Sequence, residues 1–441
     1  MKKILSYGFF IAVLLLSIVL AAGIAVAGPS EAGANERLAS APSLMDKDGN
    51  FNGDILSDTA AWVNDHFFAR QELISLSNWL SARVFGVSDA DDVVLGSDGW
   101  LYYGSTVDDY TGTSPLSDRE IYSIARNVAL MQEACEAEGK TFGFAIAPNK
   151  NSLYGEHMPD YGTAASVRDA QRVEAQLGQM GVNYIDLFSA IGGEEETLYF
   201  AHDSHWNSKG AALGADTINA ALGRESDYYS GDFSQSQPHD GDLYEMLYPA
   251  FTDPETDPVY GGDLEYEFTT NATKADSITL LTESGGEGSL LCYRDSFGIL
   301  LYPYLADSFA SCRFSRSNTY DLTLDADFVV VELVERNLSY LIANQPVFLA
   351  PRRELEIPEA SGTIVLEIST PKSPENTVLV KGTVPEDVDE DSPVYLVCGD
   401  VAYEAALLAE NGFGAYLGGD KDVTAIAYYA GGELRLLTNQ E

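Results

Sequence analysis

Positive charge is what this chain most lacks. Its 441 residues carry 25 Lys and Arg against 68 Asp and Glu, a formal net charge of −43. A surface of that sign repels phosphate, which disfavours a role in binding nucleic acid or other polyanions and fits a solubilising or salt-adapted exterior. Cysteine is scarce too: Cys135, Cys292, Cys312 and Cys398 are far apart, with no Cys-x-x-Cys pair. That argues against zinc ligation and leaves a Cys292–Cys312 disulfide open outside the cytosol. Long apolar runs are absent except for one, Phe9 to Ala27. It follows Lys2-Lys3, precedes polar Ser30-Glu31, and contains the small residues Ala25-Val26-Ala27. Residues 1–28 therefore read as a signal peptide or an N-terminal membrane anchor, with the rest of the chain extracytoplasmic, at the cell surface or secreted. With no second such run, contact with the membrane is expected through this segment only.

What is present suits a folded body, since 45% of residues are apolar and 11% aromatic. Residues 29–50, rich in Ala, Ser, Gly and Pro, read as a tether. Asp48, Asn50, Asn52 and Gly53 echo a calcium loop, but Thr59 stands where a bidentate acid is needed, so a turn into a helix is the better reading. From Ala60 apolar residues recur at helical spacing. Val93–Tyr103 is a hairpin pattern around Ser97-Asp98-Gly99. Helices over about 117–138 and 165–180 alternate with strand-like runs at 141–147, 182–187, 289–293 and 328–334. Such alternation predicts an α/β fold with a parallel sheet flanked by helices across 51–352. Residues 224–262 look like an insertion, with a short helix within 240–247 and a use as a lid. Their Tyr228, Tyr229, Tyr244 and Tyr248 offer rings to a sugar groove or to ordinary loop packing. Beyond 355 short β-branched runs between Pro, Gly and Asp turns predict a small C-terminal antiparallel β-sandwich over 355–441.

The chemistry concentrates in two stretches. Phe200-Ala-His-Asp-Ser-His-Trp206 places Asp203 two residues before His205, and an extended backbone there would turn both to one side and His202 and Ser204 to the other. Some 90 residues later, the apolar run 289–293 leads into Arg294-Asp295-Ser296-Phe297-Gly298, the pattern of a serine exposed at a strand-to-helix turn. A carboxylate and an imidazole are the orienting half of a nucleophilic triad, and Ser296 supplies the hydroxyl. In parallel sheets ligands sit beyond the carboxyl ends of the strands, where Asn149, Lys150 and Ser296 also fall. A metal held by His202, Asp203 and His205 is disfavoured, because three such close ligands on an extended loop do not converge readily. No metal and no cofactor is expected.

Val94-Leu-Gly-Ser-Asp-Gly-Trp-Leu-Tyr102, Ala147-Pro-Asn-Lys-Asn-Ser152, Asp203-Ser-His-Trp206, Asp295-Ser-Phe-Gly298 and Val334-Glu-Arg-Asn-Leu338 follow one another in the order found in bacterial DHHW proteins. Over about 46–350 the chain resembles the AlgX/AlgJ polysaccharide O-acetylation proteins, whose fold is SGNH-hydrolase-like. It departs from them at Ser204, in place of the middle histidine of the motif, and at Arg294, where glycine is usual. The resemblance implies Ser296 as nucleophile, His205 as general base and Asp203 as its orienter. Asn149, Lys150, Trp206, Arg294 and Arg336 become candidates for substrate or oxyanion contacts. It further implies a serine-dependent O-acetyltransferase or acetylesterase acting on a cell-surface or secreted polysaccharide, with a membrane-bound acyltransferase as acetyl donor. The C-terminal sandwich resembles a carbohydrate-binding module in position and class. The rival reading is a non-catalytic carbohydrate-binding or assembly protein of the cell envelope that keeps the fold.

Overall fold

The computed structural model describes residues 26–32, 37–162 and 164–440, isolated positions between 7 and 24, and only the backbone at 234–236. The apolar segment read as a signal peptide or anchor lies partly outside the described residues. Among the described residues no helix is long and apolar enough to cross a membrane.

The architecture follows from which runs are apolar on both faces. The strands are β1 (Val93–Leu95), β2 (Leu101–Tyr103), β3 (Thr141–Ala147), β4 (Tyr184–Ile185), β5 (Phe233–His239) and β6 (Glu255–Tyr260). They continue with β7 (Tyr266–Phe268), β8 (Thr279–Ser284), β9 (Ser289–Tyr293), β10 (Ser311–Ser315) and β11 (Phe328–Val334). Seven of them form one sheet in the order β4-β3-β11-β9-β10-β8-β7. The first five run parallel, and β8 and β7 close the edge antiparallel. Alternate residues of β11 divide between two cores: Val330 and Val334 pack under helices 208–221 and 298–308, while Val329, Val331 and Leu333 face helices 118–137 and 169–180. A strand covered on both sides has no polar face, which is why β3, β9 and β11 read as near-continuous apolar runs. Helix Asp118–Ala137 starts where Ser117 and Glu120 exchange side-chain-to-backbone hydrogen bonds in a capping box.

Local chemistry moved several expected boundaries. The helical run after the tether is two helices, Ile55–His66 and Arg70–Phe85, broken at Ala69 (φ 58°). The expected strand at 182–187 shrinks to β4, because the Asp186 carboxylate accepts the Ser189 N–H and starts a helix at Leu187. The helix expected from 165 begins at Asp169. In the calcium-like loop the Asp46 and Asn52 side-chain oxygens accept backbone N–H groups, making the turn into helix Ile55–His66. All four cysteines are free, and the parallel register places Cys312 opposite Leu290, two residues from Cys292. The insertion is the antiparallel hairpin β5–β6 with helix Asp242–Leu247 between its strands.

The C-terminal sheet has nine strands, all antiparallel except 360–364, which pairs parallel with 433–439. Strand Val401–Leu407 pairs with 394–398 through its first half and with 412–418 through Ala406 and Leu407. The sheet folds over there around Val380, Leu396, Phe413, Ala415 and Ile426. Its contact with helix Asp118–Ala137 combines apolar packing at Tyr122 and Ala406 with buried polar pairs. Buried Asn127 bonds the backbone of Leu407 in both senses, and Arg126 clasps the Glu404 carboxylate through two bonds of 2.6 Å. Arg353 joins Glu404 to Glu133.

Candidate active site

Three strand ends set the stage. β3, β9 and β11 finish on one edge of the sheet, and the residues that follow them are Asn149 and Lys150, Ser296, and Glu335 and Arg336. The serine turn is tied to the sheet by Asp295. One carboxylate oxygen accepts the Phe297 N–H (2.9 Å), the other the Val334 N–H (2.8 Å) and Asn337 Nδ2 (2.7 Å). Helix Gly298–Ser308 begins at once, and a Cβ at position 298 would run into the Arg294 side chain.

The second stretch is a tight loop, not the extended segment expected. Tyr199 and Trp206 form an isolated antiparallel bridge, and 200–205 turn between them. Asp203 and His205 nevertheless meet, because Asp203 Oδ1 accepts both the His205 N–H (2.9 Å) and its Nδ1 (2.6 Å). A carboxylate only accepts, so Nδ1 carries the proton and Nε2 is left as an acceptor. His205 Nε2 lies 2.9 Å from Ser296 Oγ, across 91 residues of sequence. Serine, imidazole and carboxylate thus form one hydrogen-bonded chain, with the hydroxyl at the floor of a cleft of about 900 Å³.

The candidates around this chain divide. Arg336 reaches the cleft, its guanidinium 5.4 Å from the Tyr103 and Phe297 rings, with Nη1 on Asn149 Oδ1 (3.3 Å). Asn149 is fully buried; Glu335 accepts its N–H, and its Nδ2 has no partner among the described residues. Glu335 itself is pushed up to about 7, by burial first and then by the neighbouring Asp109. Lys150, Trp206 and Arg294 do not face a substrate. Lys150 is buried and donates to the carbonyls of Phe200, Ala201 and Asp203 (2.6–3.1 Å), clamping the histidine loop. Burial pushes its pKa down to about 7, against the pull of Asp203, Asp242 and Glu255. Trp206 is wholly buried, and its Nε1 donates to Phe297 O (3.1 Å), joining the two loops as a packing residue. Arg294 is buried too, donating to Ala275 O (2.6 Å), so it neither crowds the serine nor meets an anion in the cleft.

Two residues absent from the sequence reading complete the surroundings, both from the insertion. His239 Nε2 lies 2.9 Å from Asp203 Oδ2, its ring stacked on Phe200 at 4.0 Å. The Asp242 N–H donates to the same oxygen (3.1 Å), and the Asp242 carboxylate accepts the Ser204 N–H and Oγ (both 2.7 Å). Ser204 therefore does not face away; its hydroxyl is also 3.3 Å from His205 Nδ1. The hairpin holds the loop further through Glu255, which accepts the N–H groups of Ala201 and His202. This brace, with one side forming a cleft wall, replaces the lid expected of 224–262. His202 turns outward to Asp253 O (3.1 Å), so His202, Asp203 and His205 are not one donor set. The ligand atoms of Asp203, His205 and Asp242 do lie within 4.8 Å of one another, already hydrogen-bonded among themselves.

Burial alone would raise the Asp203 carboxyl; hydrogen bonds from His205 and His239 outweigh it and hold the group well below the usual carboxylate range. His239 is raised, because Asp203 outweighs the lowering by burial. A depressed carboxyl stabilises fully above its unfolded value near ~4 and loses that contribution as pH falls through the folded one; a raised histidine stabilises fully below ~6.5 and loses it as pH rises through its folded value. Both contributions are complete between about pH 4 and 6.5. His239→Gln should therefore cost about 1 kcal/mol near pH 5 and less at pH 9, read from urea titrations of variant and wild type. Equal losses at both pH values would contradict an ionic pair.

The site is thus a serine presented at a strand-to-helix turn on the carboxyl edge of a mostly parallel sheet, facing a histidine loop. Residues 93–285 match the family model described as the SGNH hydrolase-like domain of the acetyltransferase AlgX, a stretch that holds Asp203 and His205 and stops short of Ser296. An AlgJ of Pseudomonas syringae pv. tomato, named as a probable alginate O-acetylase, is 30% identical over 167 residues, 35% of this chain and 41% of its own length. The chain thus spans about two fifths of that relative. Among solved structures, the O-acetyltransferase domain of Pseudomonas putida AlgJ is 19% identical and covers 56% of this chain and 91% of its own, with a TM-score of 0.39. A DHHW family protein from Eubacterium siraeum is 17% identical, covers 56% and 94%, and has a TM-score of 0.41. The resemblance to the AlgX/AlgJ proteins read from the ordered motifs stands.

Proposed function

We propose that this protein is a serine-dependent O-acetyltransferase or acetylesterase that acts outside the cytoplasm on a polysaccharide. The observation that carries the reading is the 2.9 Å approach of Ser296 Oγ to a His205 Nε2 whose opposite nitrogen is held by Asp203. Ser296 Oγ attacks the carbonyl carbon of an acetyl ester and passes its proton to Nε2. The carbonyl electron pair moves onto oxygen, which is stabilised by the Ser296 N–H together with Asn149 Nδ2 or Arg336. Collapse breaks the bond to the donor oxygen, which leaves with the proton from His205, and acetyl-serine remains. An acceptor hydroxyl then gives its proton to Nε2 and attacks the acetyl carbon, the bond to Ser296 Oγ breaks and Oγ takes the proton back from His205; a sugar makes the reaction a transfer, water a hydrolysis. Asp203 keeps the imidazole in the one tautomer that can accept.

Three supports come from outside the site. The AlgJ relative is named for alginate O-acetylation, the matched family model is that of an acetyltransferase, and the apolar N-terminal run fits export. A membrane-bound acyltransferase would supply the acetyl groups, with the N-terminal segment keeping the protein near it. The test is trapping. After brief incubation with a chromogenic acetate ester, peptide mass spectrometry is expected to find one acetyl group on Ser296, unaffected by a chelator. Turnover without acetyl on Ser296, or turnover abolished by the chelator, would replace this mechanism with another.

A further inference from the structure

The cleft does not end at the serine. Beside it a hollow of about 130 Å³ shares Glu245 and Pro249 with the cleft, and a third of about 470 Å³ shares Tyr244 and Asp253 with that hollow. Together they make a path from Ser296 around helix Asp242–Leu247 to a floor built from Trp79, Trp100, Tyr244, Tyr248 and His202. These rings are not sealed in a core: Trp79 is 45% exposed, and Trp100, Tyr244 and Tyr248 are half-buried. Neighbouring rings hold them in place, Tyr244 lying 5.0 Å from both His202 and Tyr248 and Trp100 stacking on His157 at 4.7 Å. Tyr228 and Tyr229 lie elsewhere, bonded to Asp307 and Glu194.

Charge along the path is one-sided. Asp91, Asp92, Asp242 and Glu245 face the cleft against Arg316 and Arg336, and Asp240 and Asp253 follow against Arg83. Both cleft arginines already donate to protein oxygens, Arg316 to Asp276 O and Arg336 to Asn149. With −43 on the chain as a whole, a polymer carrying a carboxylate on every sugar would be repelled along this path. Aromatic faces, by contrast, take the apolar C–H faces of pyranose rings, while carboxylates accept from hydroxyl and ammonium groups.

We propose that this path binds a glycan strand free of anionic groups, with Trp79, Trp100, Tyr244 and Tyr248 as an aromatic subsite on the far side of helix Asp242–Leu247 from the acetylated position. It rests on reading Ser296 as the acetyl carrier, and it departs from the polyuronate in the relative's name. Length-matched oligomers of N-acetylglucosamine, glucosamine and mannuronate are to be titrated calorimetrically into full-length Ser296→Ala protein, so that binding is read apart from turnover. The two oligomers without carboxylates are expected to bind, and mannuronate at least tenfold more weakly, with the difference shrinking as salt is raised. Trp79→Ala and Tyr248→Ala should each weaken the tighter ligand about three- to tenfold. Mannuronate binding as tightly as the others, no binding of any oligomer, or indifference to both substitutions would each overturn the proposal. None of those results bears on acetyl trapping at Ser296, whose own failure would leave a glycan-binding path without the chemistry.

Discussion

Ser296→Ala is expected to lower turnover of a chromogenic acetate ester by on the order of 10⁴- to 10⁶-fold, because it removes the hydroxyl that His205 Nε2 activates. Asp203→Asn is the more instructive partner, with an expected loss of about 10⁴-fold at neutral pH. The introduced amide has one oxygen and one nitrogen to place where Asp203 now has two acceptors. One position accepts from His205 Nδ1 and the His205 N–H, the other from His239 Nε2 and the Asp242 N–H. Protonated His239 can only donate, so it claims the amide oxygen. The amide NH₂ then faces His205, forcing the proton to Nε2 and removing the acceptor that Ser296 needs. Neutral His239 can accept, so part of the activity should return as pH rises and His239 gives up its proton, which it does at lower pH in this variant than in wild type because the Asp203 charge that raises it is gone. Kcat/KM measured against pH for wild type and Asp203→Asn reads this directly, with a variant-to-wild-type ratio that climbs with pH. A variant as active as wild type would remove Asp203 from the mechanism. A ratio flat in pH would remove His239 from it.

What sequence could show here was set by how local each signal is. Asp203, His205 and Ser296 stand in short contiguous stretches, and β3, β9 and β11 are near-continuous apolar runs, interrupted inside β11 by Glu332, because both faces of the sheet are covered. His239 and Asp242 carry no such signal. They reach Asp203 from 36 and 39 residues away, on a hairpin whose polar, Pro-containing strands show no regular alternation. A histidine and an acid in a polar stretch are indistinguishable from surface residues until the register of β5 and β6 is known. Lys150 and Arg294 misled for the reverse reason. A charged residue in a loop is expected to be solvated, yet here the carbonyls that receive them come from the histidine loop and from Ala275. The fold of the histidine loop escaped as well, because a side-chain-to-backbone bond at Asp203, not strand alternation, turns His205 toward the serine.

Glu404→Ala is expected to be the most destabilising change outside the site, by about 3–5 kcal/mol. Glu404 is 1% exposed, and its carboxylate takes two bonds from Arg126 and one from Arg353 (2.7 Å). Removing it leaves two guanidinium groups facing each other at the seam between helix Asp118–Ala137 and the C-terminal sheet. Arg353 keeps Glu133, whose side chain is 43% exposed, whereas Arg126 has no other carboxylate partner among the described residues. The cost is therefore that of a stranded charge, not of a lost attraction, and this separates two experiments. Removing the charges together, as Arg126→Met, Arg353→Met and Glu404→Leu, should recover most of the stability lost in Glu404→Ala, since well-packed apolar groups of similar volume dispense with desolvating the ions. Urea unfolding followed by far-ultraviolet circular dichroism and by tryptophan fluorescence supplies the readout. All four tryptophans lie before residue 207 and the C-terminal sheet has none, so a circular dichroism transition that precedes the fluorescence one in Glu404→Ala would show the sheet coming away first. If Glu404→Ala and the triple replacement lose the same stability, the seam is held by Asn127 and apolar packing, and the ionic cluster contributes little.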